Sequence, residues 1–178
     1  MATLFVDKID PQSGTSLEIG SSGDTITTAT GAKPSFLYPA FEAYLASDQT
    51  VTSGTTTKIT MNTETFDSAG AYDNSSNYRF TPQTAGKYYV YATVRGSTSN
   101  SGLEIQMAAI YKNGSTYIEN QIDFRNNNAS LMGATVVAIV DMNGSSDYLE
   151  CYGRCLGGTT IKASPTRSSI FGAYRIGT

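Results

Sequence analysis

The sequence reads as an all-β protein, a sandwich or jelly roll of about ten antiparallel strands. Three observations predict it. After Pro39, apolar and polar residues alternate with period two over most segments, and no segment holds a 3.6-residue period across three turns. Turn residues recur at short intervals, most clearly Asn113-Gly114 and Asn143-Gly144. The polar half of the chain is Ser, Thr, Asn and Gly: only 15% of the 178 residues are charged, against about a quarter in an ordinary globular protein.

The elements follow in order. Residues 1–36 are thin: Leu4-Phe5-Val6, Leu17-Glu18-Ile19 and Thr25-Ile26-Thr27 are separated by Gly, Asp and Ser turns. Such short strands bury no face alone and need partners, so this segment is expected to be a β-structured stalk or anchor. Residues 37–178 form the second expected unit, a head domain. Phe41-Glu42-Ala43-Tyr44-Leu45 alternates, and Val51 to Met61 reads as a Thr-rich strand. Tyr78-Arg79-Phe80 leads to a turn at Thr81-Pro82. From Gly86 to Val94, Tyr88, Val90, Ala92 and Val94 share one face while Tyr89, Tyr91 and Thr93 share the other. Apolar bulk on both faces predicts that both are covered. Leu103–Lys112 and Thr116–Ile122 form a hairpin across Asn113-Gly114. Met132–Asp141, Tyr148–Cys155 and Ser169–Ile176 complete the set.

The residues also exclude chemistry. The chain has no His, which removes the commonest general base and metal ligand and with it any Ser-His-Asp or Cys-His nucleophile. The acidic residues are scattered, with no spacing that pairs two carboxylates for glycosidic cleavage. Cys151 and Cys155 lie about 13 Å apart if their segment is a strand, too far for a disulfide; they read as small buried thiols. Asp73, Asn74 and Asn77 offer oxygens suited to calcium, but the loop lacks acidic density and reads as a polar turn. No catalytic residue, metal site or cofactor is expected. The net charge is -3 with no basic run, which argues against nucleic acid. No apolar run approaches the ~20 residues that span a bilayer, so membrane insertion is not expected. Met1 to Asp10 does not read as a secretory signal, which points to assembly in a cytoplasm.

Several residues carry a family resemblance. Phe80, then Gly86, then Tyr88 and Val90 at alternate positions resemble the C1q and tumour-necrosis-factor-like superfamily, which has an aromatic, a Gly and alternating aromatics there. Phe66 and Tyr72-Asp73 sit where that family has a Phe and a Tyr-Asp region. Phe171-Gly172-Ala173-Tyr174 resembles its closing strand, and Phe41 with Tyr44-Leu45 its first. Val90 replaces an aromatic and Ala173 a Gly. The resemblance spans about residues 37–178 and implies a ten-stranded jelly roll that forms trimers. Lys8 through Thr25 resembles the start of bacteriophage tail-fibre and related virion proteins, especially of marine phages.

Together the resemblances imply a non-enzymatic homotrimeric virion protein, a short fibre whose N-terminus attaches to the particle through Leu4, Phe5, Val6 and Ile9. Its head would contact a host-surface glycan or protein. The alternatives are a capsid or tail decoration protein that binds no host, and a cellular C1q-like binding domain. Tyr89, Tyr91 and Tyr174 are the expected trimer contacts; of the first two, their place opposite the core face and the affinity of Tyr for wet interfaces say so. The polar loops 97–102, 123–130 and 157–165 are the expected ligand contacts, with Asn100, Asn126, Asn127, Asn128 and Thr159 as candidates.

Overall fold

The computed structural model describes residues 39–163 and 166–177. Leu4, Phe5, Val6 and Ile9, and the whole expected stalk, lie outside the described residues. Those described contain thirteen strands and no helix: β1 (Ala40–Tyr44), β2 (Gln49–Thr50), β3 (Thr57–Lys58), β4 (Thr63–Asp67), β5 (Tyr72–Asp73), β6 (Arg79–Phe80), β7 (Gly86–Ser97), β8 (Ile105–Lys112), β9 (Ser115–Asp123), β10 (Leu131–Met142), β11 (Leu149–Leu156), β12 (Thr160–Ile161) and β13 (Ile170–Gly177).

They form two antiparallel sheets. Sheet A runs β2-β12-β7-β13-β1-β4, with β10 on the other side of β7. Sheet B runs β5-β6-β11-β8-β9, with β3 also on β11. The β8–β9 hairpin turns at Asn113-Gly114, where both residues have positive φ, as the tight hairpin requires. Val51 to Met61 is not the single strand its alternation predicts. Gly54, at φ +78°, turns the chain, and only Thr57–Lys58 pairs with β11. The Gly breaks the ladder that the Thr-rich composition favours.

The core lies between the sheets. Along β7 every second residue from Tyr88 to Gly96 is buried, so period-two alternation chose the correct inner face. Phe41 stacks on Tyr72 at 4.7 Å and on Phe80 at 4.4 Å, and meets Phe171 edge-on at 5.1 Å. Phe80 in turn meets Tyr88 at 5.8 Å. The Tyr72 hydroxyl donates to the Met61 carbonyl at 2.9 Å, so the buried phenol is satisfied. This cluster joins β1, β7 and β13 of one sheet to β5 and β6 of the other. Each ring contributes about 1.5–3 kcal/mol by burial, with about 0.5–1.5 kcal/mol per aromatic pair beyond it. Gly86, at φ +145°, lies so close to the Gly177 carbonyl that a Cβ would overlap it. Phe41, Tyr72, Phe80, Tyr88 and Phe171 of the sequence signature thus converge on one cluster, whereas Phe66 and Tyr174 are exposed.

Cys151 and Cys155 are both free and buried. Burial raises both thiols, Cys155 to about 11, so neither is an activated nucleophile. The Asp73 carboxylate accepts bonds from the Ser75, Ser76 and Asn77 amides and from the Asn77 side chain at 2.8–3.0 Å. These bonds, the Ser76 and Ser75 amides first, hold its pKa well below the usual carboxylate range. Both oxygens serve the loop's own backbone, as in a polar turn.

Candidate functional site

Two surfaces on the sandwich are candidates for contact with other molecules, and the register places both.

The first is the outer face of sheet A. Ile139 pairs with Tyr89 and Tyr89 with Tyr174; one step along, Val137 pairs with Tyr91, Tyr91 with Gly172, and Gly172 with Glu42. Their side chains therefore share one face. The Tyr89 ring lies 6.3 Å from that of Tyr91 and 5.2 Å from that of Tyr174. The three tyrosines read from the sequence do come together. They are not covered within a single chain: Tyr89 and Tyr91 are half-buried and Tyr174 is 42% exposed. The expectation that both faces of β7 are covered is therefore not met among the described residues, which place no third layer on sheet A.

The sequence reading missed the neighbours of these tyrosines. Val137 is 47% and Ile139 56% exposed, and Phe66 and Ile176 extend the patch. Leu131 to Met142 alternates with apolar residues on both faces, so the signal was present, but alternation alone does not say which face lacks cover. One polar group interrupts the patch. The Tyr91 hydroxyl donates to Glu42 Oε2 at 2.7 Å. Burial, reinforced by that carboxylate, raises the Tyr91 phenol. Gly172 makes this bond possible, because a Cβ there would overlap the Tyr91 ring.

Strand β10 is an edge of sheet A. Two side chains from β9 occupy its outward carbonyls: Tyr117 donates to Ile139 at 3.0 Å and Asn120 to Thr135 at 2.8 Å. This discourages continuation of the sheet by another strand. The apolar face, rather than the edge, is left available.

The second surface is one end of the sandwich. All three predicted ligand loops meet there. Leu103 bridges Ala129, the Phe124 amide donates to the Glu104 carbonyl, and the Glu104 amide donates to the Leu156 carbonyl. Gly157 sits against the Gly102 carbonyl, and Gly158 against that of Ser97. Asn100, Asn126, Asn127, Asn128 and Thr159 therefore share one pole. The Thr98 amide donates to the Ser130 carbonyl at 3.0 Å, fixing the first loop to the second. Asp48 joins them: it pairs with Lys162 and accepts from the Ala163 amide at 2.8 Å. The Lys162 bond, then that amide, lowers the pKa of Asp48 and so favours its charged form.

The described chain enters at the opposite pole. Ala40 pairs with Tyr174, and Tyr174 with Tyr89, while the ligand loops start at Ser97. Eight residues of β7 separate the two ends, about 27 Å. The loops at the entry pole are closed by their own bonds. Asn113 accepts from the Tyr148 amide and donates to Asp147, and Asn143 accepts from the amides of Ser145, Ser146 and Asp147, all at 2.8–3.0 Å.

Comparison with solved structures identifies the fold as a C1q/TNF-like jelly roll. Murine APRIL superposes with a TM-score of 0.58 at 8% identity, over 78% of this chain and 98% of that one. Eiger TNF from S. frugiperda gives 0.58 at 11% identity, over 79% and 93%. The globular domain of zebrafish complement 1qA gives 0.55 at 11% identity, over 78% and 97%. No protein-family profile and no curated protein matches the chain.

Proposed function

We propose that this C1q/TNF-like jelly roll is a non-enzymatic binding head that works as a homotrimer. Copies associate through the outer face of sheet A, and the loop pole meets a surface ligand. The observation that carries the reading is the open apolar face where Val137, Ile139 and Tyr174 are exposed beside half-buried Tyr89 and Tyr91, with exposed Phe66 and Ile176 extending it. An exposed, contiguous patch of this kind is the mark of an interface. A second copy is the occupant that fits, because the patch is apolar with a tyrosine rim and its charged groups, Glu42 and the Lys87–Asp141 pair, are already bonded within the chain. Trimerism multiplies weak contacts at the loop pole into avidity.

The biological setting that fits is a virus particle. Residues 8–25 resemble the start of bacteriophage fibre proteins, and the chain enters the head at the pole opposite the ligand loops. In this reading the N-terminal segment attaches to the virion and the head contacts the host surface. Two experiments test it. Sedimentation of the full chain should give three times its 19.0 kDa; a monomer at micromolar concentration defeats the trimer. Immunogold labelling with an antibody to the head should mark particles. Label confined to cells would remove the virion role. Labelled particles whose purified head fails to bind host cells would favour a decoration protein.

A further inference from the structure

The loop pole contains a cleft that no sequence motif announces. It measures about 550 Å³ and is lined by Asp48, Ser97, Thr98, Ser99, Ser130, Leu131, Thr159, Thr160 and Lys162. Four separate chain segments build it, and β-pairing holds them in place: Thr160 pairs with both Ser97 and Thr50, and the Val51 amide donates to the Thr159 carbonyl at 2.9 Å.

Its polar groups are unspent. The Thr98 hydroxyl is taken, since it donates to Asn100 Oδ1 at 2.8 Å. The hydroxyls of Ser97, Ser99, Ser130, Thr159 and Thr160 have no hydrogen-bond partner among the described residues. Five unpaired hydroxyls facing one concavity, each able to donate and to accept, match a ligand that is itself dense in hydroxyls. The exposed Asp48–Lys162 pair adds one strong acceptor and one strong donor without a net charge. Leu131, 39% exposed, supplies the one apolar surface. The volume is that of an ordinary small-ligand site.

We propose that this cleft binds a neutral saccharide, one or two sugar residues of a surface polysaccharide. The assignment rests on the binding-head reading and names its ligand class and residues. The cleft lies at the far end of β7 from Tyr89, about 27 Å along the strand. Three cleft copies on one head would hold a repeating polymer more tightly than one.

The test uses the full chain on an array of immobilised neutral di- and trisaccharides of hexoses and N-acetylhexosamines, with sedimentation of the same sample. At least one sugar should be retained. The triple variant Ser99→Ala, Ser130→Ala, Thr159→Val should weaken that binding at least tenfold, with its unfolding midpoint and mass unchanged. Thr159→Ser should restore most of the loss when combined with the two native serines, and Ser76→Ala at the other pole should change nothing. Failure of a folded protein to retain any sugar overturns the proposal, as does binding that the triple variant leaves intact or binding to host protein alone. A monomer that still binds in a cleft-dependent way removes the trimer and keeps the cleft. A trimer that binds no sugar does the reverse.

Discussion

The two sheets each turn a face outward, and the two faces are finished differently. On sheet B the apolar outward residues of β8 are sealed by their own chain: Ile105 is 7% and Met107 1% exposed. Their neighbours in register are long polar side chains, Arg154 and Gln121 beside Met107, and Tyr152 beside Ala109. Arg154 reaches Gln121, Lys58 pairs with Glu150, and Tyr111 stacks on Tyr152 at 3.9 Å. Stems and rings cover the apolar floor and present polar tips to water. On sheet A the corresponding neighbours are Val137, Ile139 and tyrosines; Glu42 reaches only the Tyr91 hydroxyl, and Val137 and Ile139 stay about half exposed. The same backbone architecture thus carries one face completed within the chain and one that needs another molecule.

That contrast can be broken most directly at Ile139. Ile139→Asp places a charge in the middle of the open face. It should weaken self-association by more than a hundredfold, read by sedimentation, while the circular dichroism of the chain stays native. Retained trimers would mean that the open face is not the interface. The next largest effect belongs to sheet B. Met107→Ala removes a sealed side chain and should cost about 2–5 kcal/mol of stability in urea unfolding, with the association constant of the remaining folded protein unchanged. Glu150→Gln should be milder, about 1–3 kcal/mol: it leaves Lys58, a third exposed, without its ion pair but able to reach the Asn77 carbonyl.

The smallest effect is a pH slope. Burial raises the Tyr91 phenol in the folded chain, with its Glu42 bond adding to it. A raised phenol contributes stability that is complete below the unfolded value near 10 and is lost as pH rises above it. Tyr91→Phe should therefore flatten the loss of stability between pH 10 and 11. Tyr152→Phe on the other face should flatten it less, because Tyr152 is raised mainly by a shallower burial. Equal slopes in the two variants would show that the two phenols are equally enclosed.

Much of the fold was legible before any coordinates. The inner face of β7 and the hairpin at Asn113-Gly114 follow from alternation and turn chemistry, both local properties of the chain. The strand expected over Val51 to Met61 shows the limit of such reading, since Gly54 turns the chain inside a Thr-rich segment. Of the candidate site, Tyr89 and Tyr91 were visible because they lie opposite the core face of their strand and Tyr suits wet interfaces. Val137, Ile139 and Phe66 were not, because an apolar residue in a strand gives no sign of whether a second layer lies over it.

The sequence by itself determined the fold class, the inner face of β7 and the lack of histidine chemistry, because these depend on residue type and on spacing along one chain. Only the tertiary structure decided which outer face is open, that three polar loops share one pole, and that five hydroxyls line one cleft with nothing to bond. Those are relations between segments far apart in the chain, such as Asp48 and Lys162, 114 residues apart, and they exist only once two sheets have packed and set the register between strands.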